Sequence, residues 1–161
     1  MSKMRIIALV LLVLFLHANV LGQGDSTLLA RIESSILKEE PRWKLVRKTS
    51  TRTEQYFGFY WKSGKSSVYV LVAFYGSPKE ASNGLKNLPD FLEDGGLRMV
   101  VLPSTIPNLG DENFVWEDCC DKRFTGVDFR KGKVVVHVNA PSIEIAQRFA
   151  SHVAKTLDIN P

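Results

Sequence analysis

Apolar positions along this chain change period several times, and each change marks an element. In "STLLARIESSILKEEP", Leu28, Leu29, Ile32 and Ile36 recur at helical spacing, Asp25 or Ser26 can cap the start, and Pro41 stops the run. The period then shortens to two. "RWKLVRK" alternates Trp43 and Leu45 with Arg42, Lys44 and Arg47, and "EQYFGFYWK" sets Phe57, Phe59 and Trp61 on one face and Tyr56 and Tyr60 on the other. After a Ser63-Gly64 turn, "SSVYVLVAFY" is apolar on both faces, the pattern of a central strand covered from two sides. Helical spacing returns in "GSPKEASNGLKNL". Ser77 is its cap, Pro78 its first residue and Glu80 the third member of a capping box. Ala81, Leu85, Leu88 and Leu92 share one face, and Pro89 predicts an end or a kink.

The last part of the chain reads as a meander closed by a helix. "LRMVVLP", "NFVWE", "RFTGVDFR" and "KVVVHVN" are four strand runs. In the last of these, Val134, Val136 and Val138 point one way and Val135 and His137 the other. "PSIEIAQRFASHVAKTL" follows as an amphipathic helix with Ala146, Phe149, Ala150, Val153, Ala154 and Leu157 in its buried stripe. Short turns between consecutive strands mean antiparallel pairing. The predicted class is α+β, in the order α-β-β-β-α-β-β-β-β-α. It has a single antiparallel sheet of about six or seven strands, near the usual sheet size, with the helices packed on one face.

The first residues stand apart from this pattern. "MSKMR" carries Lys3 and Arg5, and Ile6 to Leu16 is an unbroken apolar run far short of the ~20 residues a spanning helix needs. Val20 and Gly22 then suit the small-residue rule for cleavage before Gln23. Residues 1–22 therefore read as a secretory signal peptide and 23–161 as one domain with no linker or repeat. This predicts an exported protein, periplasmic or secreted and of bacterial type. Losing Lys3 and Arg5 lowers the formal charge from +4 to +2, a balance that does not call for a nucleic-acid partner. Two cysteines can make at most one bridge, so packing of the 45% hydrophobic residues must hold the fold together.

"FRKGKVVVHV" followed by "SIEIAQRFASHVAKTL" resembles the ending of small exported bacterial α+β domains, among them the extracellular sensor-type domains of mycobacterial kinases. The resemblance covers the last quarter of the chain and is one of layout, a hairpin packed by a helix rich in small residues. It implies an exported accessory role and supplies no catalytic residues.

Candidate chemistry is sparse. Cys119 and Cys120 are adjacent, so both thiols can serve one partner only in a turn, and a bridge between them would be strained and reducible. Glu117, Asp118 and Asp121 surround the pair and oppose thiolate formation. The stretch "GDENFVWEDCCD" holds five carboxylates and two thiols but lacks the recurrent ligand spacing of a zinc site, so no metal and no cofactor are expected. Glycine-rich phosphate loops and nucleophile elbows are absent. Asp128 and Glu54 read as outward-facing strand carboxylates, and His152 as a surface residue. Binding has more support than catalysis. Arg42 and Lys44 begin a basic stretch able to meet an anionic partner, or to guard an edge strand. Tyr56 and Tyr60 can line a shallow pocket, with His137 a possible neighbour. The expectation is a non-enzymatic exported domain that binds a protein or a small anionic ligand in the cell envelope. A thiol- or metal-dependent protein built on Cys119 and Cys120, and a hydrolase with a dispersed site, are the alternatives.

Overall fold

The computed structural model describes residues 26–50, 55–94, 99–103, 105–119 and 124–158, the side chains of 91–94 excepted. Residues 1–22, expected from the sequence to be a signal peptide, lie outside these residues, as do Glu54 and Cys120. Helix α1 covers 26–39. Strands β1 (Lys44–Ser50), β2 (Tyr56–Ser63) and β3 (Ser66–Phe74) follow, then helix α2 (Pro78–Asp94). β4 (Met99–Leu102), β5 (Glu112–Asp118), β6 (Thr125–Lys131) and β7 (Val134–Ala140) come next, and α3 (Ile143–Asp158) closes the chain. All seven strands join one sheet in the order β1-β2-β3-β7-β6-β5-β4, with every described pairing antiparallel. The architecture, element order and antiparallel sheet agree with the sequence pattern. No described helix is long and apolar enough to cross a membrane.

Both two-residue hairpins place glycine first. Gly64 (φ 58°) joins β2 to β3 and Gly132 (φ 57°) joins β6 to β7, the left-handed geometry that matches strand twist. The main core lies where α1 and α3 cover one face of the sheet. Ile32, Ile36, Trp61, Val70, Val136 and Phe149 are fully buried there. The Phe149 ring meets Trp43 edge-on at 5.3 Å between centroids. The stripe read from the sequence of α3 is buried as expected, joined by Thr156.

Helix placement corrects the sequence reading. The helices do not all share one face, because α2 lies on the other. Ala81 and Leu85 of α2 form a second cluster with Ala73 of β3 and Val135 of β7, whereas the neighbours Val72 and Val136 point into the main core. Topology explains this. β3 ends in the middle of the sheet and β4 lies at its far edge, so α2 must cross over β7 and β6 to reach it. Both faces of the central strands then need cover, as the two-sided apolar pattern of β3 requires.

The start of α2 follows its sequence signal. Glu80 N–H donates to Ser77 Oγ at 3.2 Å, and Glu80 Oε2 accepts from Gly76 N–H at 3.1 Å. The helix runs on through Pro89 rather than ending there, since proline removes one backbone bond but its fixed φ is itself helical. Further along the crossing, Ser82 Oγ donates to Glu112 Oε2 at 3.1 Å and Arg130 Nε donates to Glu112 Oε1 at 2.9 Å, tying α2 to β5 and β6. The Ser82 hydroxyl, with Arg130 after it, holds the Glu112 carboxyl below its usual range.

Candidate functional site

The second face of the sheet carries a buried pair of titratable side chains. Asp128 of β6 and His137 of β7 are direct cross-strand partners. They are 0% and 4% exposed, and Asp128 Oδ1 stands 2.6 Å from His137 Nδ1. Asp128 is therefore not an outward-facing carboxylate. It is buried, with Oδ1 hydrogen-bonded to His137 and Oδ2 buried without a partner among the described residues. A carboxylate only accepts, so the imidazole donates through Nδ1–H and Nε2 is the nitrogen left for other partners.

Trp116 of β5 completes the group. Its ring stacks on His137 with centroids 5.4 Å apart and planes 4° from parallel. To reach across β6 it lies over Gly126, its own strand partner, where a Cβ would come within 2.1 Å of the indole. Glycine is required there for space and not for an unusual φ.

Beside His137, a pocket of about 190 Å³ opens between α2 and the strands, walled by Tyr56, Leu71, Ala73, Tyr75, Leu88 and Val135, with Gly84 and Asn87 on the helix. Gly84 admits Tyr75, whose hydroxyl oxygen would lie 2.2 Å from a Cβ at that position. Burial, followed by the neighbouring Tyr56 hydroxyl, pushes the Tyr75 phenol up to about 12 from its ordinary 10.0. Tyr75 thus stays protonated in the folded protein after it has ionised in the unfolded chain. The stability it contributes is full below pH 10 and is lost as pH rises towards 12. Tyr75→Phe is expected to flatten the alkaline fall in stability between those limits, read as the difference between two urea-midpoint curves against pH.

The structure brings together some of the sequence candidates and separates others. Tyr56 and His137 both line the pocket. Tyr60 lies on the same face but outside that lining, with Arg47 and Lys62 each 5.7 Å from its ring centroid. Arg42 sits in the turn before β1 and Lys44 opens the strand, both exposed and away from the pocket, so they do not form one stripe along a strand. Cys119 is exposed just past the end of β5 and is not part of the pocket. Among the described residues, no three His, Cys, Asp or Glu side chains gather as metal ligands. His152 is largely covered, with Nε2 3.5 Å from Glu40 Oε1, while Arg148 Nε donates to the same oxygen at 2.8 Å.

Sequence reasoning missed Asp128 and Trp116, although a signal for the first was present. A two-residue turn at Gly132-Lys133 sets Lys131 opposite Val134, and stepping outward pairs Asp128 with His137. Compared with known protein families, curated proteins and solved structures, the chain matches none, so the site stands on its own geometry.

Proposed function

We propose that this chain is an exported, non-enzymatic binding domain whose pocket beneath α2 takes a compact ligand or a single side chain of a partner. One observation carries the reading: a histidine fixed by a buried aspartate stands in the wall of an otherwise largely apolar cavity. Few polar groups held rigidly among apolar walls are the usual composition of a recognition site. The volume limits what enters. An apolar cavity of about 150 Å³ takes one benzene ring, so this pocket of about 190 Å³ suits one ring or a short branched chain. Nε2 of a neutral His137 accepts, which favours a ligand bearing a hydroxyl or N–H donor. The leader expected from the sequence supports work in the cell envelope.

The Asp128–His137 pair also favours a second reading, a hydrolase in which His137 acts as general base. Among the described residues no Ser, Thr or Cys lines the pocket, so a bound water is the nucleophile this reading uses. Sustained turnover of small phenyl esters, abolished in His137→Gln, would establish that reading and displace the first.

Binding is tested by amide and side-chain NMR with phenol, 4-methylphenol and benzamide as probes. Ring-bearing donors are expected to shift His137, Tyr75 and Leu88. Gly84→Ala drives the Tyr75 phenol into the cavity and is expected to abolish those shifts while leaving the helix intact, since alanine favours helix over glycine by about 1 kcal/mol. Shifts that persist in Gly84→Ala, or none with any probe in the parent protein, would refute the binding reading.

A further inference from the structure

α2 lies over β6 and β7, and no described helix covers the same face of β1 and β2. Phe59 and Trp61 are buried in the main core, so Gly58, Tyr60 and Lys62 face the uncovered side. Register then places Thr49, Arg47 and Lys44 of β1 beside them, and Tyr69 of β3 opposite Tyr60. This face of β1 to β3 carries three cations, Lys44, Arg47 and Lys62, and two tyrosines, Tyr60 and Tyr69, beyond the Tyr56 of the pocket wall, and no carboxylate among its described strand residues.

The tyrosines are arranged in a particular way. A Cβ at Gly58 would lie 2.5 Å from both the Tyr69 hydroxyl and Thr49 Oγ1, so the Tyr69 ring lies across the strand in the space that a side chain at 58 would fill. That sets an aromatic shelf against the sheet beside Tyr60. Next to it, Arg47 and Lys62 flank the Tyr60 ring, each 5.7 Å from its centroid, which keeps their charges close to the shelf.

We infer that this uncovered face binds an extended anionic polysaccharide of uronate type, with a sugar ring stacked on Tyr69 and its carboxylates on Arg47, Lys62 and Lys44. Charge complementarity selects a polyanion. The aromatic shelf selects among polyanions, since an acidic peptide has no regularly repeated ring to stack on it. A nucleic acid would call for a larger positive excess than the chain carries. The surface is separate from the pocket beneath α2 and does not rest on the pocket's function.

The test is isothermal titration of the purified protein with oligogalacturonate. Dextran, poly-glutamate, duplex DNA and phosphatidylglycerol vesicles form the comparison arms. Oligogalacturonate is expected to bind more tightly than every comparison arm, with no binding to dextran. Tyr69→Leu keeps the charge and is expected to weaken binding by about tenfold or more, the loss typical of a removed stacking platform. Gly58→Ala, which lifts the ring, should act in the same direction, and Gly84→Ala should leave binding unchanged. Arg47→Gln with Lys62→Gln, both at exposed positions, is expected to remove most of the affinity while leaving the urea midpoint close to that of the parent protein. Absence of oligogalacturonate binding would overturn the inference. So would equal or tighter binding of poly-glutamate, DNA or vesicles, or loss of no affinity in the Arg47/Lys62 pair.

Discussion

Gly126→Ala is expected to destabilise the fold by about 3 kcal/mol, the upper end of the cost of overpacking a filled interior. A methyl group there would sit 2.1 Å from two indole carbons of Trp116 and 2.4 Å from Nε1, far inside contact distance. The indole has little room to yield, being fully buried and stacked on His137, which is itself held by Asp128. Gly64→Ala gives the contrast. That glycine has open space around it and a φ of 58°, so alanine there meets backbone strain alone, about 1–2 kcal/mol. Urea midpoints separate the two cases, and Trp116→Leu in the Gly126→Ala background should recover part of the loss. An unchanged midpoint in Gly126→Ala would mean that the indole does not lie where the strand register puts it.

The sequence made the sheet legible because its strand runs alternate at a period of two, or are short apolar runs, and are bounded by turn residues. Phe57, Phe59 and Trp61 could be separated from Tyr56 and Tyr60 by alternation alone, and Val134, Val136 and Val138 from His137 in the same way. The side of the sheet that each helix covers is a different kind of information. It depends on strand order, and strand order depends on contacts distant in sequence. Nothing local in "GSPKEASNGLKNL" says that α2 must span the sheet from β3 to the far edge. The one clue was that β3 is apolar on both faces, which is at odds with helices confined to one.

The site was legible in halves. Tyr56 and His137 stood out as unusual residues on the second face of their strands, and the pocket joins them. Asp128 was misread because a lone strand carboxylate is ordinarily solvated, and its burial follows only from the hairpin register with His137. Gly126, Gly84 and Gly58 were unreadable for one shared reason. Each gives way to an aromatic ring from elsewhere in the chain, respectively Trp116, Tyr75 and Tyr69. A missing side chain states that space is needed but does not name what fills it. The double cysteine drew attention because it is rare in sequence, whereas the polar chemistry lies in the sheet.

Asp128→Ala is expected to cost about 1–3 kcal/mol, the range for leaving a buried hydrogen-bond donor without its acceptor. The loss leaves His137 Nδ1–H without its acceptor in a position only 4% exposed. The informative partner is the double variant Asp128→Val with His137→Val. Valine suits a strand, and the adjacent Val127, Val136 and Val138 show that this hairpin accommodates it. Removing both polar groups together avoids the orphaned donor, so the double variant should recover most of the stability lost in Asp128→Ala. It should also lose the ring-bearing probes that bind beside His137. A double variant that stays folded yet fails to bind would show that the pair serves recognition, since packing alone could hold the sheet without it. Strictly additive losses in the two single variants and the double, read from urea midpoints, would instead mean that Asp128 and His137 contribute separately. The 2.6 Å contact would then carry no coupling, and the pocket would lose the fixed acceptor on which its selectivity depends.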